Sequence, residues 1–543
     1  MTDVSGRDGV SRRDFIHGGA MGALGLSTAA LLAACGGTHA ATAGITGATS
    51  TGPAGGAAVK GGTLRVGLVS AGSAETIDVR KALNFPDYVR LFNLLDPLFF
   101  AAPGGLVTPG LCQAAHPNKD ATVWTLELRP GVEWQDGSPF TADDVIYTMQ
   151  SSWHSKQSNI FSLADSIIDY TRLRKRDKLT VEVGLKHGVA QFPSTTFTQN
   201  SSVIKNGTTD FSKVIGTGPF KLESFTPGSQ SVFTRNPNYW GAPAPYVDTL
   251  IIDSSYANDT ARLNALLAGD VDIVPTVAPA LAKANAASGR IVLGNAPGPA
   301  FIAPTMIVTE PPFTDVRVRQ ALRLLADRQA LALEALAGYG TPGNDLPGQT
   351  LQFWASDFKR PHDPEQARSL LKAAGHENLS LTLYTSDIIP GMNETATLYA
   401  QQASAGGVNI SVKVVDPSIY YSAASPGGNY LAKTFSLNNW TTETSSMALF
   451  YLSALYKDAP YNETHWTSPQ ADQLLFDALS DTNDANAEQK WHAVQQMQFD
   501  QGGYIVTNNF NWLDAYAPKV RGIQTTSAGP CDYYNFKTAW LAT

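Results

Sequence analysis

The sequence predicts an α/β chain large enough to fold as two lobes with separate cores, and three observations carry that reading. Strand-type alternation and helix-type apolar stripes interleave along the chain instead of separating into blocks. About 480 residues lie beyond a low-complexity leader, enough for more than one hydrophobic core. No internal repeat appears at solenoid periods.

The leader comes first. Ser11-Arg12-Arg13-Asp14-Phe15-Ile16 has the paired arginines and following apolar residues of a twin-arginine export signal. Gly18 to Ala34 is then a charge-free run too short to span a bilayer comfortably, and it ends in Leu32-Ala33-Ala34-Cys35. That ending has the form of a lipobox, in which small residues admit the peptidase and the Cys35 thiol takes the lipid. Residues 1–34 are therefore expected to be a signal peptide, and 35–61 a tether. The stretch from Gly36 to Gly62 holds no aromatic residue and is rich in Gly, Ala, Thr and Ser, so it cannot offset its ordering entropy by burial. As a random coil it spans roughly 30 Å.

The folded part opens on a strand-like alternation from Gly62 to Leu68, and Val123 to Leu128 alternates again before Arg129-Pro130-Gly131 turns the chain. Thr141-Ala142-Asp143-Asp144 starts a helix in the manner of a capping box, with Val145, Met149 and Trp153 along one stripe. Asp315 is placed to cap a helix whose face is Val318, Ala321, Leu322 and Leu325. Asp363-Pro364-Glu365 starts another, with Ala367, Leu370, Leu371 and Ala374 as its buried face and Gly375 as its stop. Strands follow at Leu379–Leu383 and Val408–Val414.

Charge and chemistry exclude several classes. The leader's Asp3, Asp8 and Asp14 balance Arg7, Arg12 and Arg13, so the remainder keeps the full charge of −8. An acidic chain is a poor partner for nucleic acid. Beyond Cys35 there are only Cys112 and Cys531, which admit one disulfide or two buried thiols. No G-x-S-x-G elbow occurs. Ser202-Val203-Ile204-Lys205 and Ser369-Leu370-Leu371-Lys372 match S-x-x-K without the motifs that accompany it in acyl-transfer enzymes. Gly216-Thr217-Gly218-Pro219 lacks the Lys of a phosphate loop and reads as a tight turn. The histidines show no metal-ligand spacing. No catalytic residue, metal or cofactor is assigned, and an exported hydrolase stays as a distant alternative.

Several stretches are similar to one family. They are the run from Trp124 to Val145; Gly216 to Leu222 with Arg235-Asn236-Pro237-Asn238-Tyr239-Trp240; Ala265 to Ile273; Pro312 to Leu322 with Asp327-Arg328; and the helix from Asp363 to Gly375. In this order they resemble the family 5 extracellular solute-binding proteins, the dipeptide- and oligopeptide-binding group of ABC importers. The resemblance implies a two-lobe, type II periplasmic-binding-protein-like α/β fold that closes over a solute by a hinge motion. Lobe I would comprise 62–305 plus 513–543, with an extra subdomain at about 95–220, and lobe II 306–512. It implies an exported monomer that takes a peptide or other small solute to ABC permease subunits, anchored by lipid to the outer face of the cell membrane or facing the periplasm.

The stretch Leu437-Asn438-Asn439-Trp440-Thr441-Thr442-Glu443 resembles the family's main ligand strand. In its peptide binders a Trp there is followed three residues later by a carboxylate that pairs with the peptide's α-ammonium, a spacing matched by Trp440 and Glu443. Asn439 and Thr441 flank that Trp. Asn84 and Phe85 stand where the first lobe would contribute, and Asn508 and Asn509 near the second crossing strand. Glu443 in place of the family's Asp, and Thr444-Ser445-Ser446-Met447 after it, depart from the pattern and leave an oligosaccharide as the alternative ligand. Trp466, in a loop, is expected as an outlying contact, and Trp491 as a helix-core residue beside Val494.

Overall fold

The structure, a computed structural model, describes residues 57–196, 201–421, 430–441 and 446–542. The expected signal peptide, Cys35, most of the expected tether and Glu443 lie outside the described residues.

The organising element is an 11-stranded mixed sheet. Thr63–Val69 buries Leu64, Val66 and Leu68 and pairs in parallel with Thr249–Tyr256, Leu64 opposite Leu250 and Val66 opposite Ile252. Gln230–Arg235 and Phe220–Phe225 extend that side in antiparallel fashion. At the other end Ser380–Ser386 runs parallel to Asn409–Val415, each strand offset by one residue from its sequence-predicted start. Two long strands join the ends. Val292–Met306 pairs with Phe435–Trp440 on one flank and with Asn508–Tyr516 on the other, and Asn508–Tyr516 reaches Ile273–Val274. The register of the two long strands shifts between Pro297 and Phe301. A Cβ on Gly298 would lie 2.7 Å from the Trp512 indole nitrogen, so only glycine lets the strands approach there.

Cys112–Pro117, Val123–Leu128, Thr180–Leu185 and Ile168–Asp177 form a separate four-stranded antiparallel sheet. Its inward residues Trp124, Leu126 and Leu128 share one apolar core with Phe301, Trp440, the wholly buried helix Met447–Ala454 and Trp491. Val494 lies buried beside Trp491 on the helix Asp484–Gln501, as expected. Trp466 is buried in a turn tied by Asn462 and Thr464. Cys112 and Cys531 are free, buried thiols.

Local signals fall where the sequence puts them. The Thr141 backbone N–H donates to Asp144 at 2.7 Å, completing the capping box. The expected single helix widens at Met149–Trp153 into a π-helical turn, with His154 N–H on the Met149 carbonyl at 2.9 Å. Val145, Met149 and Trp153 are all buried nonetheless. Asp315 and Asp363 cap the helices Val316–Leu324 and Pro364–Ala373. Of the latter's predicted face, Ala367 and Leu371 are buried and Leu370 and Ala374 half-buried.

Gly216-Thr217-Gly218 packs against the end of the helix Phe85–Leu94. A Cβ at either glycine would collide with the Leu94 carbonyl, at 1.6 and 2.5 Å, while the Thr217 hydroxyl donates to Asp96 at 3.0 Å. The motif is a close-packing joint, not a phosphate cradle. Arg317 pairs with Asp315 on the surface as its position suggests, but Arg319 is buried. It donates to the carbonyls of Phe313 and Gln501, each at 2.6 Å, and Arg323 donates to those of Phe499 and Tyr504 at 2.9 Å. These guanidiniums satisfy the orphan carbonyls and the negative dipole end of the helix Asp484–Gln501.

Candidate functional site

The strand Phe435–Trp440 is half-covered. Its inner flank pairs fully with Val292–Met306, whereas its outer flank meets Ser380–Ser386 only at Ser436 opposite Tyr384. Beyond Ser436 the backbone edge of Asn438, Asn439 and Trp440 carries no strand partner among the described residues. Such an edge accepts an extended chain as an added strand.

Register sorts the expected residues. Trp440 and Asn509 both stand opposite Phe301, on its two sides, and therefore share one face of the sheet. Thr341 continues that row beside Asn509. Asn439 and Asn508 both stand opposite Ile302, in the next row, and point to the other face. Thr441 follows the strand directly and is half-buried. Four of the expected residues are thus cross-strand neighbours although two lie about seventy positions beyond the other two in the chain.

Each has a distinct environment. Trp440 is 6% exposed, with Phe450 edge-on at 4.9 Å, so it is a packed wall and not an open platform. Its indole N–H donates to Glu463 at 2.9 Å. Asn439 donates its side-chain amide to the Tyr421 hydroxyl at 2.8 Å and its backbone N–H to the Asn438 side chain at 2.9 Å. Asn508 is buried beside Thr395, at 3.4 Å. Asn509 is 1% exposed, and neither its amide nitrogen nor its oxygen has a hydrogen-bond partner among the described residues. Asn84 and Phe85 stand at the start of the helix Phe85–Leu94. Asn84 caps the helix Phe85–Leu94 and shares Asp87 with it, and Phe85 packs edge-on against Tyr534 at 4.8 Å. No hydrogen bond or ring contact among the described residues links them to the strand row.

Sequence reasoning missed Glu463. It is 3% exposed, and both its oxygens are used: Oε1 accepts from Trp440 and Oε2 from the Asn438 side chain. The Tyr504 hydroxyl lies beside it without closing a hydrogen bond. Burial pushes the Glu463 carboxyl up to about 7, against the partial pull of Trp440, Tyr504 and Asn438. A glutamate between Asn462 and Thr464 in a loop has no periodic or spacing signal, so only three dimensions reveal it. No cluster of metal-ligating side chains occurs among the described residues, and no helix there is long and apolar enough to cross a membrane.

Comparison with known proteins gives a consistent family. A profile of the bacterial extracellular solute-binding proteins, family 5 (middle region), matches residues 107–463. The glutathione-binding protein GsiB of Pectobacterium atrosepticum is 24% identical over 442 residues, covering 78% of this chain and 84% of its own. Among solved structures, DppA of Helicobacter pylori in complex with the peptide STSA superposes with a TM-score of 0.75 at 18% identity, covering 89% of this chain and 99% of its own. AgaA of A. tumefaciens R10, in complex with agropinic acid, gives 0.74 at 20% identity, covering 89% and 99%.

Proposed function

Since the chain belongs to the family 5 bacterial extracellular solute-binding proteins, we propose that it captures a peptide-like solute bearing a free amine and delivers it to an ABC permease. Its fold is the mixed α/β, type II binding-protein fold of that family. The observation that carries the ligand reading is the backbone edge at Asn438–Trp440, without a strand partner among the described residues, three positions before Glu443 in the sequence. An extended peptide added there would set its ammonium near a carboxylate, a charge-assisted contact. The names of the relatives, one binding glutathione and one solved with a peptide, favour the same class.

In this reading Val292–Met306 and Asn508–Tyr516 are the hinge strands. Lobe I is 62–305 plus 513–543, with the small sheet in its subdomain at about 95–220, and lobe II is 306–512. The protein acts as a monomer, is held to the outer face of the membrane by lipid on Cys35, and returns its solute chemically unchanged. Cys35→Ala should release it from the membrane fraction, and retention there rejects the anchor.

The test of the ligand is native mass spectrometry of freshly purified protein, followed by calorimetric titration of wild type and Glu443→Gln. Removing one partner of a buried charge pair costs about 2–5 kcal/mol, a loss of roughly thirty-fold to several thousand-fold in affinity for an amine ligand. An N-acetylated analogue should bind wild type poorly and the variant with less discrimination. Equal binding of both ligands by both proteins moves the assignment to a neutral, hydroxyl-rich solute such as an oligosaccharide. The unpartnered Asn509 amide is the feature that favours this second reading.

A further inference from the structure

Among the buried carboxylates near the strand row, Glu463 is singular because every described residue that faces it is formally neutral. From the strand Phe435–Trp440 come Trp440 and Asn438. From the neighbouring segments come the hydroxyls of Tyr420, Tyr421 and Tyr504, with Tyr430 facing Tyr421 and Tyr504 in turn. His465, two residues along, has its ring on Thr309 at 3.5 Å. No lysine, arginine or histidine of the described residues pairs with the carboxylate.

The hydrogen-bond arithmetic has one solution. An indole N–H only donates, so Glu463 Oε1 must accept from Trp440. Asn438 points its NH2 at Oε2, because its carbonyl oxygen already accepts from the Tyr421 hydroxyl at 2.6 Å and from the Asn439 backbone N–H. Two accepting oxygens are the pattern of an ionised carboxylate. Protonation converts one oxygen to an O–H donor that then faces an N–H donor. On Oε2 that O–H faces the Asn438 amide, which unlike the indole can turn to accept it and in turning withdraws its carbonyl from the Asn439 N–H and from Tyr421, whereas an O–H aimed at the Tyr504 hydroxyl would leave Asn438 in place. The proton on Glu463 is thereby linked to the open strand edge.

We propose that Glu463 is a proton-dependent positioning residue for the ligand strand: as a carboxylate it clamps the Trp440 indole and the Asn438 amide, and as a carboxylic acid it releases Asn438. This rests on reading Asn438–Thr441 as the ligand strand. Burial places the exchange near neutral pH, where an exported protein meets ordinary variation in acidity. The clamped strand is the preorganised one, so solute binds tighter above the transition than below it.

Two measurements test this. In protein labelled with 15N-tryptophan, the indole resonance absent from Trp440→Phe identifies Trp440. It should shift between pH 5.5 and 8 with a midpoint near 7 in wild type and stay fixed in Glu463→Gln. A resonance that is flat in wild type, or that still titrates in Glu463→Gln, overturns the proposal. Titration with glutathione at pH 5.5 and 7.5 should show wild-type affinity weakening about tenfold at the lower pH, the worth of one hydrogen bond to a charged group, and a variant that does not change. An equal pH dependence in both proteins also overturns it. If glutathione binds at neither pH the peptide reading falls, while the indole titration alone still decides the role of Glu463.

Discussion

Asp345 and Glu463 are both buried carboxylates, and they are buried in opposite ways. Asp345 lies between two guanidiniums, Arg328 on Oδ1 and Arg360 on Oδ2, the latter at 2.8 Å. Those arginines are themselves fixed by backbone carbonyls, Val506 for Arg328 and Phe499 for Arg360. The pairing is strong enough to hold Asp345 at φ 68°, in the left-handed region. Glu463 has two neutral donors and no cation. A buried charge that is fully paired behaves as part of the scaffold. One that has only dipoles for company keeps a choice of protonation state, and the strand it touches inherits that choice.

The contrast predicts graded outcomes. Asp345→Ala leaves two buried guanidiniums unpaired and should cost about 3–5 kcal/mol in urea unfolding at neutral pH. A loss below about 1 kcal/mol would mean that the arginines find other partners, and would erase the distinction. Glu463→Gln should act with the opposite sign. The folded carboxyl sits at about 7 against an ordinary 4.5, so its contribution to stability is complete below about 4.5 and is lost as pH rises through 7. Above that, ionisation costs up to about 3 kcal/mol, which the glutamine does not incur. The urea midpoint of Glu463→Gln should therefore gain on wild type between pH 5 and pH 8, and parallel curves would place Glu463 with Asp345. Asp363 is the exposed counterpart, accepting from the Gln366 N–H at 2.8 Å as a helix cap. Asp363→Ala should cost about 1 kcal/mol, equally at pH 5 and pH 8.

What was legible in the sequence follows the same division. Caps and turns are written within four residues, so Thr141–Asp144, Asp315, Asp363 and the Gly216–Pro219 turn could be placed from the chain alone. The family resemblance singled out residues of the strands Phe435–Trp440 and Asn508–Tyr516, and register brings Trp440 and Asn509 to one face. The burial of Arg319 is not legible in the chain because its Gln501 partner lies 182 positions away. Glu463 was invisible because its partners Asn438 and Trp440 are 25 and 23 positions back, across a loop without period. Asn84 caps its own helix, a local role that its place before Phe85-Pro86-Asp87 makes readable from the chain.

The strand Asn508–Tyr516 has one more consequence, for the order in which the protein is made. It sits between Val292–Met306 and Ile273–Val274, and strand Thr63–Val69 reaches the second of these only at Val66. Until residue 516 has left the ribosome, the sheet is two fragments with unpaired inner edges, a state prone to proteolysis and to pairing with other chains. The last residues complete the seal: Asn93, on the helix Phe85–Leu94, binds the backbone of Tyr534 and Phe536, more than four hundred positions away. Contacts of such sequence separation make folding slow and late. A chain stopped before Asn508 should be cleaved readily in limited proteolysis where the full chain resists.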